Sequence, residues 1–229
     1  MSPGKPITPK GLARDLEYVL EGTIYHEAFY DVCPPREWLQ VLEPGCGSGK
    51  FSAAYALRGA DVVSLDIDPG VIEYTWALFR EMASWAREHP ASFPHYTGAL
   101  MTIQVGSIHE LTTLFPKERF DFVFNEGVPH HWPREDPRRQ GAIDQMAAVT
   151  KPGGKVALMV SNAHCPDMMR YAATVKHTYH SMPERQVPFS QDELLEALMR
   201  AGLQHVGVRP VESDALERAR TLLAYGTKG

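Results

Sequence analysis

Three glycines at alternate positions, in Val41-Leu42-Glu43-Pro44-Gly45-Cys46-Gly47-Ser48-Gly49, are the residues of this chain best suited to hold a ligand through its backbone. Glycine accepts left-handed backbone angles, so such a run can bend sharply out of a strand and present its amides, at a helix N-terminus, to a close ligand. The spacing is GxGxG. A dinucleotide fingerprint would have its third glycine where Lys50 stands. Asp66, at the end of the next apolar run, is placed to accept hydrogen bonds from both hydroxyls of a ribose. Asp68, directly before Pro69, reads as a helix cap instead. Pro129-His130-His131-Trp132 supplies two imidazoles able to exchange a proton near neutral pH. Plainer readings stand beside these: a connecting turn for the glycines, a capping acid for Asp66, and a loop-capping or backbone-bonded role for either histidine.

The elements that must position these groups alternate between strand and helix. Thr8-Pro9 reads as an N-cap and a first-turn proline, opening a helix whose Leu12, Leu16, Val19 and Leu20 keep helical spacing up to Gly22. A second helix spans 24–31. Strands are expected at 38–42, 61–67, 100–105, 120–125 and 155–160, the fourth an almost continuous apolar run of the kind buried on both faces. Helices are expected at 50–58, stopped by Gly59, and at 69–88, with Ile72, Trp76, Phe79, Met82 and Ala86 on one face. Another runs from Asp136-Pro137 to Val149, and the turn Lys151-Pro152-Gly153-Gly154 leads from it into the fifth strand. Ser190-Gln191-Asp192-Glu193 is a capping box ahead of an apolar stripe of Leu194, Leu195, Leu198 and Met199, which Gly202 stops. Strands at 203–211 and 219–226 close the chain.

This order predicts an α/β fold: a doubly wound, mostly parallel seven-stranded, Rossmann-like sheet with a final antiparallel strand and helices on both faces. One domain, 1–229, is expected, with a core at 38–160 and a closing helix and strand pair at 190–229. Two segments fall outside the alternation, an N-terminal helical segment at 8–37 and the stretch 161–189. Both are expected to leave the sheet at the end where open α/β folds bind ligands, as lids.

Composition narrows the function classes. The 229 residues are 44% hydrophobic and 22% charged, as in a soluble globular protein, and the formal charge of −5 gives no general pull toward nucleic acid or anionic membrane. Cys33, Cys46 and Cys165 are odd in number and lack CxxC spacing, so they read as reduced thiols of a cytoplasmic protein rather than a disulfide or zinc framework. The start, MSPGKPITPK, has no apolar core of a secretory signal, and no run of about 18 apolar residues suggests a membrane span. Ten histidines, among them His164, His177 and His180, make no HxxxH or HxH pair with a matching carboxylate, so no metal site is expected.

With these residues in place, the chain resembles class I S-adenosylmethionine-dependent methyltransferases. Glu43–Gly49 is similar to their first motif, Asp66 in Val63-Ser64-Leu65-Asp66-Ile67-Asp68 to the acid closing their second strand, Phe120–Val128 to their fourth-strand motif, and Lys151-Pro152-Gly153-Gly154 to the turn before their fifth. The likeness runs from about 38 to 161, and the terminal strand pair agrees with it. It implies S-adenosyl-L-methionine as cofactor and S-adenosyl-L-homocysteine as product. It further implies that Gly45, Cys46, Gly47 and Gly49 cradle the cofactor, that Asp66 holds the ribose and that Ile67 packs on adenine. Ser107 and Ile108 stand where the family often has an acid at the adenine amino group, which the Ser107 hydroxyl or the Ile108 amide would replace. Asn125 would meet the methionyl ammonium through its carbonyl, and Glu43 would add negative potential there. His131, then His130, is the candidate base toward the acceptor.

Methyl transfer is an in-line displacement at a sulfonium. It needs the acceptor held about 3–3.5 Å from the methyl with water excluded, and a base only where the acceptor must lose a proton. The expected acceptor is a small molecule at O, N, C or S, because the extra segments are short and no basic stripe with interleaved aromatics appears. Tyr25, Tyr30, Tyr171 and Tyr179 could line its pocket or simply pack. An RNA or protein acceptor, or a catalytically silent cofactor-binding partner subunit, are the alternatives. Asn125-Glu126-Gly127-Val128 lacks the Pro-Pro-aromatic element of nucleobase amino-methyltransferases, and Cys165-Pro166 reverses the order of a cytosine C5 nucleophile. The acceptor's identity and the oligomeric state are not written in the sequence.

Overall fold

The computed structural model describes residues 9–96, 98, 101–174 and 186–229. Thr8, Leu100, His177, Tyr179 and His180, and with them the centre of the expected 161–189 lid, lie outside the described residues. The strands form one seven-stranded sheet in the order β3-β2-β1-β4-β5-β7-β6, the doubly wound arrangement expected from the sequence. Two compact units divide the chain, Met1–Ile108 with Phe120–Val123, and His109–Arg119 with Phe124–Gly229.

The first unit contains α1 (Pro9–Glu21), α2 (Ile24–Val32), β1 (Gln40–Pro44), α3 (Lys50–Ala56), β2 (Asp61–Asp66), α4 (Pro69–Glu88), β3 (Met101–Val105) and the start of β4 (Phe120–Glu126). Its strands are parallel. Gln40 to Pro44 lie beside Asp61 to Leu65, Val62 to Asp66 beside Met101 to Val105, and Val41 beside Phe122. Asp68 starts α4 by accepting the Gly70 amide at 2.8 Å, with Pro69 in the first turn where no amide hydrogen is needed. α3 ends at Ala56, two residues short of the expected 58, and past it Gly59 turns at φ +91° while the Arg58 guanidinium donates to the Ala54 carbonyl at 3.0 Å. Phe29, Tyr55 and Phe122 are buried together in this unit's core.

The second unit holds α5 (Leu111–Leu114), the remainder of β4, α6 (Pro137–Val149), β5 (Thr150–Ser161), α7 (Pro166–Thr174), α8 (Gln191–Arg200), β6 (Leu203–Pro210) and β7 (Thr221–Lys228). β7 runs antiparallel to both β5 and β6. The capping box is complete: Ser190 Oγ accepts the Glu193 amide at 3.2 Å, and the Glu193 carboxylate accepts the Ser190 amide at 2.7 Å. Leu194, Leu198, Val156, Leu158 and Leu222 to Ala224 are buried in this unit.

Several boundaries differ from the sequence reading, each for a local reason. The first strand begins at Gln40. Trp38 is 72% exposed in a left-handed conformation (φ 65°), so it turns the chain before pairing starts. The second strand closes at Asp66, leaving Ile67 43% exposed. On α4 the buried face carries Thr75 and Leu78, and Trp76 faces solvent; on α8 Met199 does the same. Lys151-Pro152-Gly153-Gly154 is already extended within β5, its kink taken by Gly153 at φ +76°. Short helical turns at Ile108–Glu110, Leu111–Leu114 and Pro129–His131 are too brief to leave a periodic signal.

Candidate active site

The glycine run is bent back on the second strand. The Gly45 and Cys46 amides both donate to the Leu65 carbonyl, at 2.6 and 3.0 Å, and the Gly49 amide closes the turn on the Cys46 carbonyl at 2.9 Å. All three glycines are left-handed, at φ +72°, +55° and +75°. Each is required for that reason, and Gly49 for a second one: a Cβ there would lie 2.3 Å from Thr75 Cγ2. Around Gly47 no atom lies within 4 Å of where a Cβ would stand, so the tip of the bend borders open space.

Asp66 reaches this tip. Its Oδ2 accepts the Gly47 amide at 3.1 Å and its Oδ1 the Asp68 amide at 3.0 Å. Burial raises its carboxyl above the ordinary 3.8, against the Asp68, Gly47 and Ile67 amides, which pull it down. A carboxylate has about four acceptor positions, so Asp66 orders the loop and keeps capacity for a further donor, such as a hydroxyl of a diol. Ile67 stands exposed next to it. Ser107 is half-buried, and Ile108 is buried at the start of a 3-10 turn. The Gly106 amide just before them is fixed to the Asp66 carbonyl at 2.9 Å.

Glu43 is 1% exposed, and its Oε2 accepts the Ser52 amide at 2.9 Å as well as the Ser52 hydroxyl, which in turn accepts from Ser64. A carboxylate is thus held at the amino end of α3, where the helix dipole favours it. Its charge, with that of Asp66, adds to burial in pushing the Cys46 thiol well above its ordinary value. Cys46 is a packed, protonated residue, its Sγ 4.0 Å from Thr75 Oγ1.

In the second unit, Asn125 is fully buried and its Oδ1 accepts the Val128 amide at 3.0 Å. That bond folds the chain after β4 into the turn bearing the histidines, with Gly127 at φ +84° and its amide on the Met159 carbonyl. His130 and His131 are both buried, with ring centroids 4.7 Å apart. His130 Nδ1 accepts the Ser161 amide at 3.1 Å, which puts its ring proton on Nε2. This is the backbone-bonded role left open for it from the sequence.

A protein-family model described as a methyltransferase domain matches residues 42–158, which is half of the chain and contains the glycine bend, Asp66 and both histidines. The chain belongs to the class I S-adenosylmethionine-dependent methyltransferases. Among curated relatives, this methyltransferase is 25% identical over 174 residues to a ubiquinone biosynthesis O-methyltransferase of Xylella fastidiosa, covering 76% of the chain and 62% of that protein. It is 24% identical over 196 residues to a malonyl-[acyl-carrier protein] O-methyltransferase of Pectobacterium atrosepticum, covering 76% and 67%. The chain therefore spans about three fifths of the length of the first of these relatives. In structure it is similar to an S-adenosylmethionine-dependent methyltransferase of Archaeoglobus fulgidus, with TM-score 0.65, 13% identity, and 93% and 97% of the two chains covered.

The residues present fit the family's cofactor: a half-buried carboxylate with acceptor capacity to spare, an exposed apolar side chain beside it, and a glycine tip bordered by space. Among the described residues, no group of three or more His, Cys, Asp or Glu could hold a metal ion. Cys165 is buried with Met168 and Ala172, away from any role as a nucleophile. Tyr30 packs edge-on against Tyr55 at 5.2 Å, while Tyr171 lies at the surface beneath the Arg220 guanidinium.

Three participants in these networks carry no motif in the sequence. Ser52 and Ser64 carry the Glu43 carboxylate, and Thr75 braces the bend, its hydroxyl shared between the Gly47 and Val71 carbonyls at 2.9 Å each. Their small polar side chains inside apolar helix and strand faces were the only signal. Asp15, 6% exposed in α1, accepts a hydrogen bond from Tyr74 of α4 at 2.8 Å, and nothing in its sequence neighbourhood marks it.

Proposed function

We propose that this chain transfers the methyl group of S-adenosyl-L-methionine to an oxygen of a small-molecule acceptor, releasing S-adenosyl-L-homocysteine. The observation carrying the reading is Asp66, which pins the glycine tip with one oxygen and the start of α4 with the other and keeps acceptor capacity for the ribose. Ile67 would cover one adenine face, with Ser107 and Ile108 at its edge. The Gly45–Gly49 bend would receive the methionyl part, and the buried Glu43 charge would favour its ammonium. Oxygen as acceptor atom is supported by the two O-methyltransferase relatives.

The bound cofactor supplies an electrophilic methyl on a sulfonium. The chain's own residues orient and dehydrate the reactants and, for a hydroxyl acceptor, remove its proton. His131 is the residue we assign to that proton. His130, with Nδ1 taken by the Ser161 amide, offers the acceptor only an N–H. A carboxylate acceptor would need no base, and His131 would then only orient it.

The chain acts as one domain, 1–229, in this reading. The helices of 8–37 cover the cofactor half, supported by the Asp15–Tyr74 bond and by Lys50 Nζ lying 4.3 Å over the Tyr18 ring. A cytoplasmic site of action is supported by the three free thiols. No helix among the described residues is long and apolar enough to cross a membrane.

Titration calorimetry with S-adenosylmethionine and with NAD, followed by radiolabelled methyl transfer to a simple phenol, a malonyl thioester and a metabolite extract, tests the proposal. Binding of the sulfonium cofactor and label in a small-molecule acceptor are expected. Binding of NAD alone overturns the assignment. Cofactor binding with no label in any acceptor points to a silent binding subunit.

A further inference from the structure

Arg139 is a buried cation with no part in the reading above. It lies in α6, 5% exposed, and its guanidinium spans two separate stretches of chain. Nη1 donates to the Trp132 and Val187 carbonyls, both at 3.0 Å, and Nη2 to the Pro188 carbonyl at 3.4 Å. Its Cζ sits 3.3 Å from the Phe189 ring centroid. Burial lowers its pKa to about 10, and the charge of Glu193 works against that shift, so it is a cation at neutral pH. Taking a guanidinium out of water is costly, and an apolar side chain would fill this space without that cost.

What the cation provides is a junction. Trp132 directly follows His130-His131. The segment 186–189 is the partner of that turn: the Val187 amide donates to the His130 carbonyl at 2.6 Å, the Ser161 hydroxyl to Gln186 Oε1 at 2.8 Å, and the Phe189 amide to the Ser161 carbonyl at 2.9 Å. Ser161 also supplies the amide that fixes the His130 ring. One end of the histidine turn is therefore held by Ser161 and Val187, and the other by Arg139, with His131 as the single residue between.

We propose that Arg139 is a positioning residue for the His130–His131 pair, clamping Trp132 to 187–188 so that both imidazoles keep one orientation. Its catalytic meaning rests on the reading that this pair serves the methyl acceptor. The clamp itself does not. A planar fork with several donors can hold carbonyls of two segments at once, whereas an ammonium on a flexible stem is a single point donor.

The test is histidine-ring NMR on the full 15N-labelled chain, with wild type, Arg139→Lys and Arg139→Met compared. Wild type is expected to show His130 as one tautomer, protonated on Nε2. In Arg139→Met that signature is expected to become a tautomer average, with Val187 amide protection falling about tenfold or more. Arg139→Lys is expected to restore part of both, while S-adenosylmethionine affinity by calorimetry stays within about twofold of wild type. A folded Arg139→Met protein with the wild-type His130 signature and Val187 protection overturns the proposal. Should that variant not fold, hydrogen exchange of wild type decides: His131, Trp132 and Val187 amides are expected to open with one common free energy, and clearly different values overturn the clamp. Wild type failing to bind S-adenosylmethionine would defeat the proposed function and leave this coupling standing.

Discussion

Adding one methyl group to Gly49 or to Gly47 should give two different failures, and the difference follows from what surrounds each. Both residues are left-handed, which costs an alanine about 1–2 kcal/mol. At Gly49 the new Cβ would also stand 2.3 Å from Thr75 Cγ2. Thr75 cannot swing aside cheaply. It is 1% exposed, β-branched within α4, and its hydroxyl is committed to the Val71 and Gly47 carbonyls. Overpacking of this kind adds about 1–3 kcal/mol, so Gly49→Ala should lose roughly 2–5 kcal/mol in all. Gly47→Ala meets no atom within 4 Å and should lose only the conformational part, about 1–2 kcal/mol. Its methyl would instead occupy the space at the tip, and S-adenosylmethionine binding should weaken about tenfold or more. Urea unfolding at 25 °C with calorimetry on the folded variants separates the two effects. Equal destabilisation of both variants, or an unaltered affinity in Gly47→Ala, would refute the reasoning.

His26 is 1% exposed, and burial, reinforced by Arg58, lowers its pKa from 6.5 to about 4. The unfolded chain takes up this proton first as pH falls. Stability is therefore lost from about pH 6.5 downward until the folded pKa is passed, amounting to roughly 2 kcal/mol at pH 5 relative to pH 8. His26→Phe should flatten that part of the pH dependence of the urea midpoint, and an unchanged slope would contradict it. Replacing Glu43 by Ala leaves the Ser52 amide and hydroxyl without their acceptor, and each buried orphan costs roughly 1–3 kcal/mol. Glu43→Gln should recover most of that in thermal unfolding. Because burial raises the Asp66 carboxyl, cofactor affinity should begin to fall on acidification at a higher pH than an ordinary carboxylate would give, which calorimetry across a pH series would show. In acceptor turnover, His131→Ala should slow a phenol far more than a carboxylate, and equal effects on both would remove its role as a base.

Those features of the fold that were legible in the sequence are the ones written in local rules. Asp68-Pro69, Asp136-Pro137 and Ser190 with Glu193 name helix starts by capping chemistry, and each structure-defined helix begins there. The glycine spacing and Asp66 stood out because a left-handed bend and a carboxylate at a strand end are scarce combinations. Trp38, Trp76 and Met199 misled because periodicity assigns every large apolar side chain to a core, while an element's face is set by what packs on it. Asp15, Ser52, Thr75 and Arg139 were not legible because each acts on a partner distant in sequence: Tyr74, Glu43, Gly47, and the Val187 and Pro188 carbonyls. The family resemblance gives Asn125 a role through its carbonyl alone, whereas its side chain builds the turn that carries the histidines.

The most direct measurement is S-adenosylmethionine titration into wild type and Asp66→Asn, with folding of both checked by thermal unfolding. Hydrogen bonds to a charged group contribute about 1.5–3 kcal/mol, so the variant should bind roughly 10- to 150-fold more weakly while wild type binds and NAD does not. An Asp66→Asn protein that binds as tightly as wild type, or a wild type that takes up no heat with the sulfonium, would contradict the assignment of the glycine bend and its carboxylate to the nucleoside.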